Sequence, residues 1–219
     1  MLWFICEYMF FEHVHVFTYD IFRERTGMKL AWGCFCFYPF FYLVGIWPLV
    51  AGRGGDHSMD LGVPGAAACA AVFFTGWVLT RGANLQKYYW RHGQVGQQQQ
   101  AGQRQTNKKT DEVAAAPSTF LGFFRNTTVP GSGGRLLCGG FWGVARHVNY
   151  LGEILQGVGL ALPGFLTTGS WLPWLYPMYY AMLFFGRERD DHGSCEKKYG
   201  KAWAAYCKIV PYRIVPGVY

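Results

Sequence analysis

Arg187, Glu188, Arg189, Asp190 and Asp191 open the most chemically loaded stretch of the chain. Cys195-Glu196-Lys197-Lys198-Tyr199-Gly200 follows, and Val210-Pro211-Tyr212-Arg213-Ile214-Val215-Pro216-Gly217 closes it. Seven basic and four acidic side chains fall in the last 33 residues, with Tyr199, Trp203, Tyr206 and Tyr212 spaced among them. A charged tail can be a simple anchor. Charges interleaved with aromatic rings at fixed intervals suit a folded pocket for a polyanionic cofactor better, because guanidinium and ammonium groups neutralise phosphates while rings offer stacking faces.

Two further clusters carry the same chemistry. Arg81-Gly82-Ala83-Asn84-Leu85-Gln86-Lys87-Tyr88-Tyr89-Trp90-Arg91 puts Lys87 and Arg91 four residues apart, on one face of a helix. Two cations on one face at a membrane exit fit a phosphate clamp. By spacing alone, interfacial anchoring among aromatic residues is the plainer reading. The other cluster, Leu137-Cys138-Gly139-Gly140-Phe141-Trp142-Gly143-Val144-Ala145-Arg146-His147-Val148-Asn149-Tyr150-Leu151-Gly152-Glu153, crowds polar groups into the start of an apolar run. A carboxylate in lipid is costly, so Glu153 is expected to face a bundle interior or the interface. No Gly-x-Gly-x-x-Gly follows a strand and no Gly-Lys-Ser/Thr loop exists, so side chains rather than a glycine turn must hold any nucleotide. The seven cysteines form no Cys-x-x-Cys pair, which reads as free thiols and no metal site.

The elements that must position these clusters are helices in a membrane. Half the residues are hydrophobic (51%), 19% are aromatic and 15% charged, against about 25% charged in soluble domains. Residues 30–51 and 61–80 contain no charge, and each is long enough to cross a hydrocarbon core that takes about 20 helical residues. Residues 150–166 and 171–185 form a hairpin turning at Thr167-Thr168-Gly169-Ser170. Residues 1–11 make a partial span, read as a helix whose first half is missing; no signal peptide is indicated. Nine Lys or Arg stand against two acids in 81–148, and one Arg against two Asp in 52–60. The positive-inside rule then puts 81–148 and 186–219 in the cytoplasm, and basic residues that flank spans argue against nucleic acid as the partner. The expected fold is therefore all-α: a polytopic membrane bundle of about four full spans, a partial N-terminal span and a folded cytoplasmic C-terminal tail. Membrane helices occupy 1–92, a Gln-rich, low-complexity, disordered insert 93–118, and the cofactor-binding part 119–219.

These clusters resemble the sterol reductase family, which includes the delta-14 and delta-7 sterol reductases and the sterol-reductase part of the lamin B receptor. The resemblance is carried by Gly82, Asn84, Gln86-Lys87 and Arg91, by Gly140 to Glu153, by Arg187, Asp191, Cys195, Lys198-Tyr199-Gly200, Trp203 and Tyr206, and by Val210-Pro211-Tyr212-Arg213 with Pro216. Thr18-Tyr19-Asp20-Ile21 and Gly27-Met28-Lys29-Leu30 are similar to the family's segment before its middle span. The likeness covers nearly the whole chain outside the Gln-rich insert and corresponds to the family's C-terminal half. The N-terminal half of the same protein is thus an implied partner, beside a sterol substrate and membrane lipids. The resemblance implies NADPH-dependent reduction of a sterol ring double bond in the endoplasmic reticulum membrane, delta-14 before delta-7. It implies NADPH contacts at Lys87, Arg91, Leu137, Trp142, Asn149, Tyr150, Arg187, Asp191, Lys198 and Tyr199. Protonation of the alkene and then hydride delivery require a proton donor, for which Tyr206 is the first candidate and Tyr8 the second. The chain departs from the family at Val148 (usually proline), Glu153 (aspartate) and Cys34 (aspartate after Gly33). Two other readings stand beside this one: a non-enzymatic sterol-binding membrane protein, and an enzyme like the isoprenylcysteine methyltransferases, whose C-terminal hairpin and tail are similar.

Overall fold

The computed structural model describes residues 2–15, 32–51, 60–104, 119–130, 132 and 136–219. The segment before the middle span, the loop residues 52–59 and residues 105–118 of the Gln-rich insert lie outside the described residues. What is described is mostly helical, as the composition predicts.

Helices α1 (Leu2–Phe10) and α2 (Glu12–His15) open the chain. The apolar run 30–51, expected as one span, is divided over its described residues: a π-helical turn at Gly33–Phe37, then α3 (Tyr38–Val44) and α4 (Trp47–Ala51). Pro48 explains the break. It has no N–H to give, and its ring conflicts with the carbonyl four residues earlier. The chain turns at Gly45-Ile46 instead, with the Ile46 N–H donating to the Leu43 carbonyl at 2.9 Å.

Helix α5 (Gly62–Arg104) runs through the basic-aromatic cluster and on through Gln97 to Gln100. Alanine, glutamine and arginine are good helix formers, and no proline interrupts them after Pro64. Among the described residues, Gly62–Gly93 is the one helical stretch long and apolar enough to cross a membrane, and only 11% of its most apolar window is buried. Val63, Phe74 and Val78 therefore face outward, the surface a lipid-facing helix presents.

The hairpin forms where the turn chemistry places it. Helix α6 (Val148–Thr168) ends as the Thr167 and Thr168 hydroxyls donate back to the Pro163 and Gly164 carbonyls at 2.7 and 2.6 Å, and Gly169 turns the chain at φ 65°. A short 3-10 turn leads into α7 (Leu175–Tyr199), which carries the apolar run and the charged run Arg187–Lys198 on one continuous helix. Gly200 at φ 50° ends it, and α8 (Lys201–Ile209) follows.

The chain divides into two compact units. One comprises Met1–Thr80 and Tyr150–Arg187, the other Arg81–Asn149 and Glu188–Tyr219. In the first, α5 and α6 meet backbone to backbone. A Cβ on Gly76 would lie 2.5 Å from the Gly152 carbonyl oxygen and 2.7 Å from the Gln156 nitrogen, and a Cβ on Gly152 would run into Thr80. Small residues at such crossings let helices associate by close van der Waals contact where no hydrophobic drive exists. The buried Gln156 amide also donates to Thr80 Oγ1 at 3.4 Å, and Glu153 is half-buried on the same helix. Buried rings form a column in this unit: Tyr150 on Phe184 (4.5 Å, 10°), Phe184 on Tyr180 (5.2 Å) and Tyr180 on Tyr176 (4.7 Å).

The second unit has a small antiparallel hairpin, β1 (Thr119–Phe120) with β2 (Phe124–Arg125), in register Thr119 to Arg125 and Phe120 to Phe124. A second ladder joins Val129 N–H to the Leu136 carbonyl (2.9 Å) and Cys138 N–H to the Thr127 carbonyl (2.8 Å). Its core is Val129, Leu136, Trp203, Tyr206 and Val210.

Candidate functional site

Gln86 organises the site. Ala83, Gln86 and Lys87 are three and four apart on α5, so they share a face. Gln86 is fully buried (0% exposed). Its amide nitrogen donates to Asn126 Oδ1 at 2.9 Å and to the Gly139 carbonyl at 3.1 Å, while its amide oxygen accepts the Phe141 N–H at 3.0 Å. The Trp142 indole N–H donates to the Ala83 carbonyl at 2.9 Å. This fixes the Trp142 ring beneath Lys87, whose Nζ lies 4.5 Å from the ring centroid. Gly140 makes the turn at φ 64°, and a Cβ there would run into the Gln86 amide. Burial, and after it the Arg91 charge, lowers the Lys87 ammonium to about 8, while Asp191 on α7 opposes the shift. Lys87, Arg91, Trp142 and Asp191 therefore share one locality.

A second anchor is Arg146, only 7% exposed. Its guanidinium donates to the Pro211 carbonyl (3.0 Å), Cys207 Sγ (3.1 Å) and His192 Nδ1 (3.4 Å). The backbone N–H groups of Arg146 and His147 donate to the Tyr212 and Arg213 carbonyls at 3.0 and 2.9 Å. The Trp203 indole also donates to His192 Nδ1, at 3.3 Å. Burial, reinforced by Lys87, Arg146, His192 and Arg213, holds the His147 imidazole at about 3, against an ordinary 6.5. His147 is therefore neutral at physiological pH.

Glu188, 1% exposed, is clamped by Arg213 (3.0 and 3.2 Å) and by the Tyr219 hydroxyl (3.2 Å). It ties the charged helix to the last loop, so this carboxylate is already satisfied within the protein.

The remaining expected residues divide between the units. Leu137 is buried and bridged to Thr128, and Asn149 is half-buried near the start of α6. Tyr199 packs on the Trp203 core, and Lys198 Nζ sits 5.1 Å from the Tyr199 ring centroid. Tyr206 is buried in the same core, its ring 5.1 Å from that of Trp203, and burial pushes its phenol well above the ordinary tyrosine range. Tyr150 and Arg187 belong to the first unit, as does Tyr8 on α1. Sequence reasoning missed Gln86, Glu188 and the Arg146–His192 pair as organisers. A buried glutamine looks like any helical polar residue, and only its place beside Lys87 in the motif marked it.

Comparison with known proteins gives the family. The model of the ergosterol biosynthesis ERG4/ERG24 family matches residues 1–219. A protein named Delta(14)-sterol reductase from Arabidopsis thaliana is 32% identical over 216 residues, 99% of this chain and 50% of its own length. One of the same name from Ascobolus immersus is 35% identical, over 99% of this chain and 44% of its own. The 7-dehydrocholesterol reductase of Arabidopsis thaliana is 30% identical, over 100% and 46%. The chain thus spans about half the length of the curated relatives it matches. With a full-length family match and these motifs in place, the chain belongs to the ergosterol biosynthesis ERG4/ERG24 family.

Proposed function

We propose that this chain is the cofactor-holding part of a membrane-embedded sterol reductase that uses NADPH to reduce a sterol ring double bond, the delta-14 bond in preference to the delta-7. The observation that carries the reading is Lys87 held over the Trp142 ring, with Arg91 and Asp191 coupled to the same ammonium. That donor set fits a phosphorylated dinucleotide. Lys87 and Arg91 would neutralise phosphate, the buried Trp142 ring would hold the Lys87 ammonium in position, Asp191 would accept from a ribose hydroxyl, and Asn149 would meet a carboxamide. NADPH would supply the hydride. A lone methyl-donor cofactor such as S-adenosylmethionine has no phosphate for these cations to meet. The names of the relatives support the sterol, and the outward apolar face of α5 supports a membrane setting. We place the chain as a multi-pass protein of the endoplasmic reticulum.

Tyr206 is the proposed proton donor to the alkene. Burial raises its phenol and makes it a weaker acid, and the nearby Arg146 charge works in the opposite direction. Tyr206→Phe should leave NADPH affinity within about twofold and lower turnover at least 100-fold, the size of an acid–base contribution. Equal turnover would return Tyr206 to a packing role.

Membranes carrying this chain, alone and with the N-terminal half of a relative supplied as a second polypeptide, should convert an 8,14-diene sterol to the 14-reduced product when NADPH is present. Preference for a 5,7-diene would move the assignment to the delta-7 bond. Reduction of neither diene in either arm overturns the enzyme reading.

A further inference from the structure

The β1–β2 hairpin has a feature that its own unit does not account for. Its turn passes through Leu121 at φ 53° and Gly122 at φ 79°. Glycine takes this left-handed region freely; a leucine there is strained. Little packing offsets that strain: Leu121 is 66% exposed, and its neighbour Phe123, 71% exposed, meets the Phe124 ring at 4.6 Å. The base of the hairpin is the opposite. Phe120 is buried with its ring 6.4 Å from Tyr89, and the Phe124 ring lies 4.7 Å from Phe141.

Tyr89 belongs to Tyr88-Tyr89-Trp90-Arg91, the aromatic-then-basic pattern that leaves the apolar part of α5. Such belts sit at headgroup level. The hairpin therefore starts at that level and holds two large apolar side chains clear of the protein. Arg125, exposed, stands at its base. Cations beside an apolar tip complement an anionic leaflet.

We propose that Leu121 and Phe123 dip into the cytosolic leaflet, with Arg125 at the lipid phosphates, making this hairpin a monotopic anchor in addition to the spans. The proposal rests on α5 crossing the membrane. It also reaches the site, because a Cβ on Gly139 would run into the Arg125 carbonyl. The lipid-facing hairpin therefore backs directly onto the loop that carries Trp142.

The test is depth-dependent quenching in the full chain. Phe123→Cys and, separately, Val78→Cys on the outward face of α5 are labelled with an environment-sensitive fluorophore. Both are placed in nanodiscs of phosphatidylcholine and phosphatidylserine containing shallow doxyl lipid, and the signal of labelled unsubstituted protein is subtracted. Severalfold quenching is expected at both positions. Adding Leu121→Asp to the Phe123→Cys chain should restore most of the lost fluorescence. A quenched label at 78 with an unquenched label at 123 overturns the hairpin anchor and leaves the α5 span standing. Quenching at neither overturns both, and quenching at 123 that ignores Leu121→Asp overturns the insertion.

Discussion

Replacing Gln86 by leucine would keep the volume and strip three hydrogen bonds from one buried position. The buried Phe141 N–H would lose its acceptor, at about 1–3 kcal/mol for a group left unsatisfied, while the half-buried Asn126 and Gly139 oxygens would each lose one donor. Gln86→Leu should lower the stability of the second unit by at least about 2 kcal/mol, read as a drop in melting temperature, and weaken NADPH because Trp142 loses its seat. Lys87→Met separates charge from scaffold. It should leave the melting temperature within a degree or two and reduce NADPH affinity roughly tenfold or more, about 1.4 kcal/mol per decade; equal titration curves for the two proteins would contradict the clamp. His147 gives a pH signature. Its folded value of about 3 lies below the 6.5 of the unfolded chain, so below pH 6.5 the unfolded state binds the extra proton. The stability held by neutral His147 is complete above pH 6.5 and declines as pH falls toward 3. Melting temperatures taken from pH 7.5 to 5 should fall, and His147→Gln should flatten that slope. The cations of the site were visible in the sequence as residue types at fixed spacing. Gln86 and Glu188 were not, because burial and hydrogen-bond geometry depend on which loop folds back, and no local pattern encodes that.

At the scale of elements, the α5–α6 crossing brings two backbones together at Gly76 and Gly152. Gly76→Leu would force the helices apart at a point where even a methyl group meets the Gly152 carbonyl. Overpacking of this kind costs typically 1–3 kcal/mol. The variant should melt lower in detergent than the parent, whereas Val78→Leu, two residues on and facing outward, should not. The turn of the α6–α7 hairpin was legible because threonine, glycine and serine have local reasons to end a helix. The interruption at Gly45 was less so, although Pro48 is its cause: an uncharged run reads as a single span until proline is weighed against hydrophobicity. The continuity of α7 from apolar to charged residues was missed for the opposite reason. A change in polarity at Gly186 looks like a boundary, yet Gly186 and Gly193 both stay helical and the chain leaves the helix at Gly200, φ 50°.

At the scale of the whole molecule, family membership was legible because three separated motifs agree, and chemistry constrains such positions more than packing does. The division into units was not legible. Each is made from two stretches of chain, and only long-range contacts reveal the pairing. This interleaving governs the order in which the protein can be finished. Arg146 finds its acceptors at Pro211 and Tyr212, so the second unit cannot close while the ribosome is still delivering residues 150–187. Until then a guanidinium destined for burial stays hydrated, and non-local closure of this sort is slow. A polypeptide released before Pro211 would leave that cation hydrated and the second unit unclosed, marking it for quality control rather than for partial function.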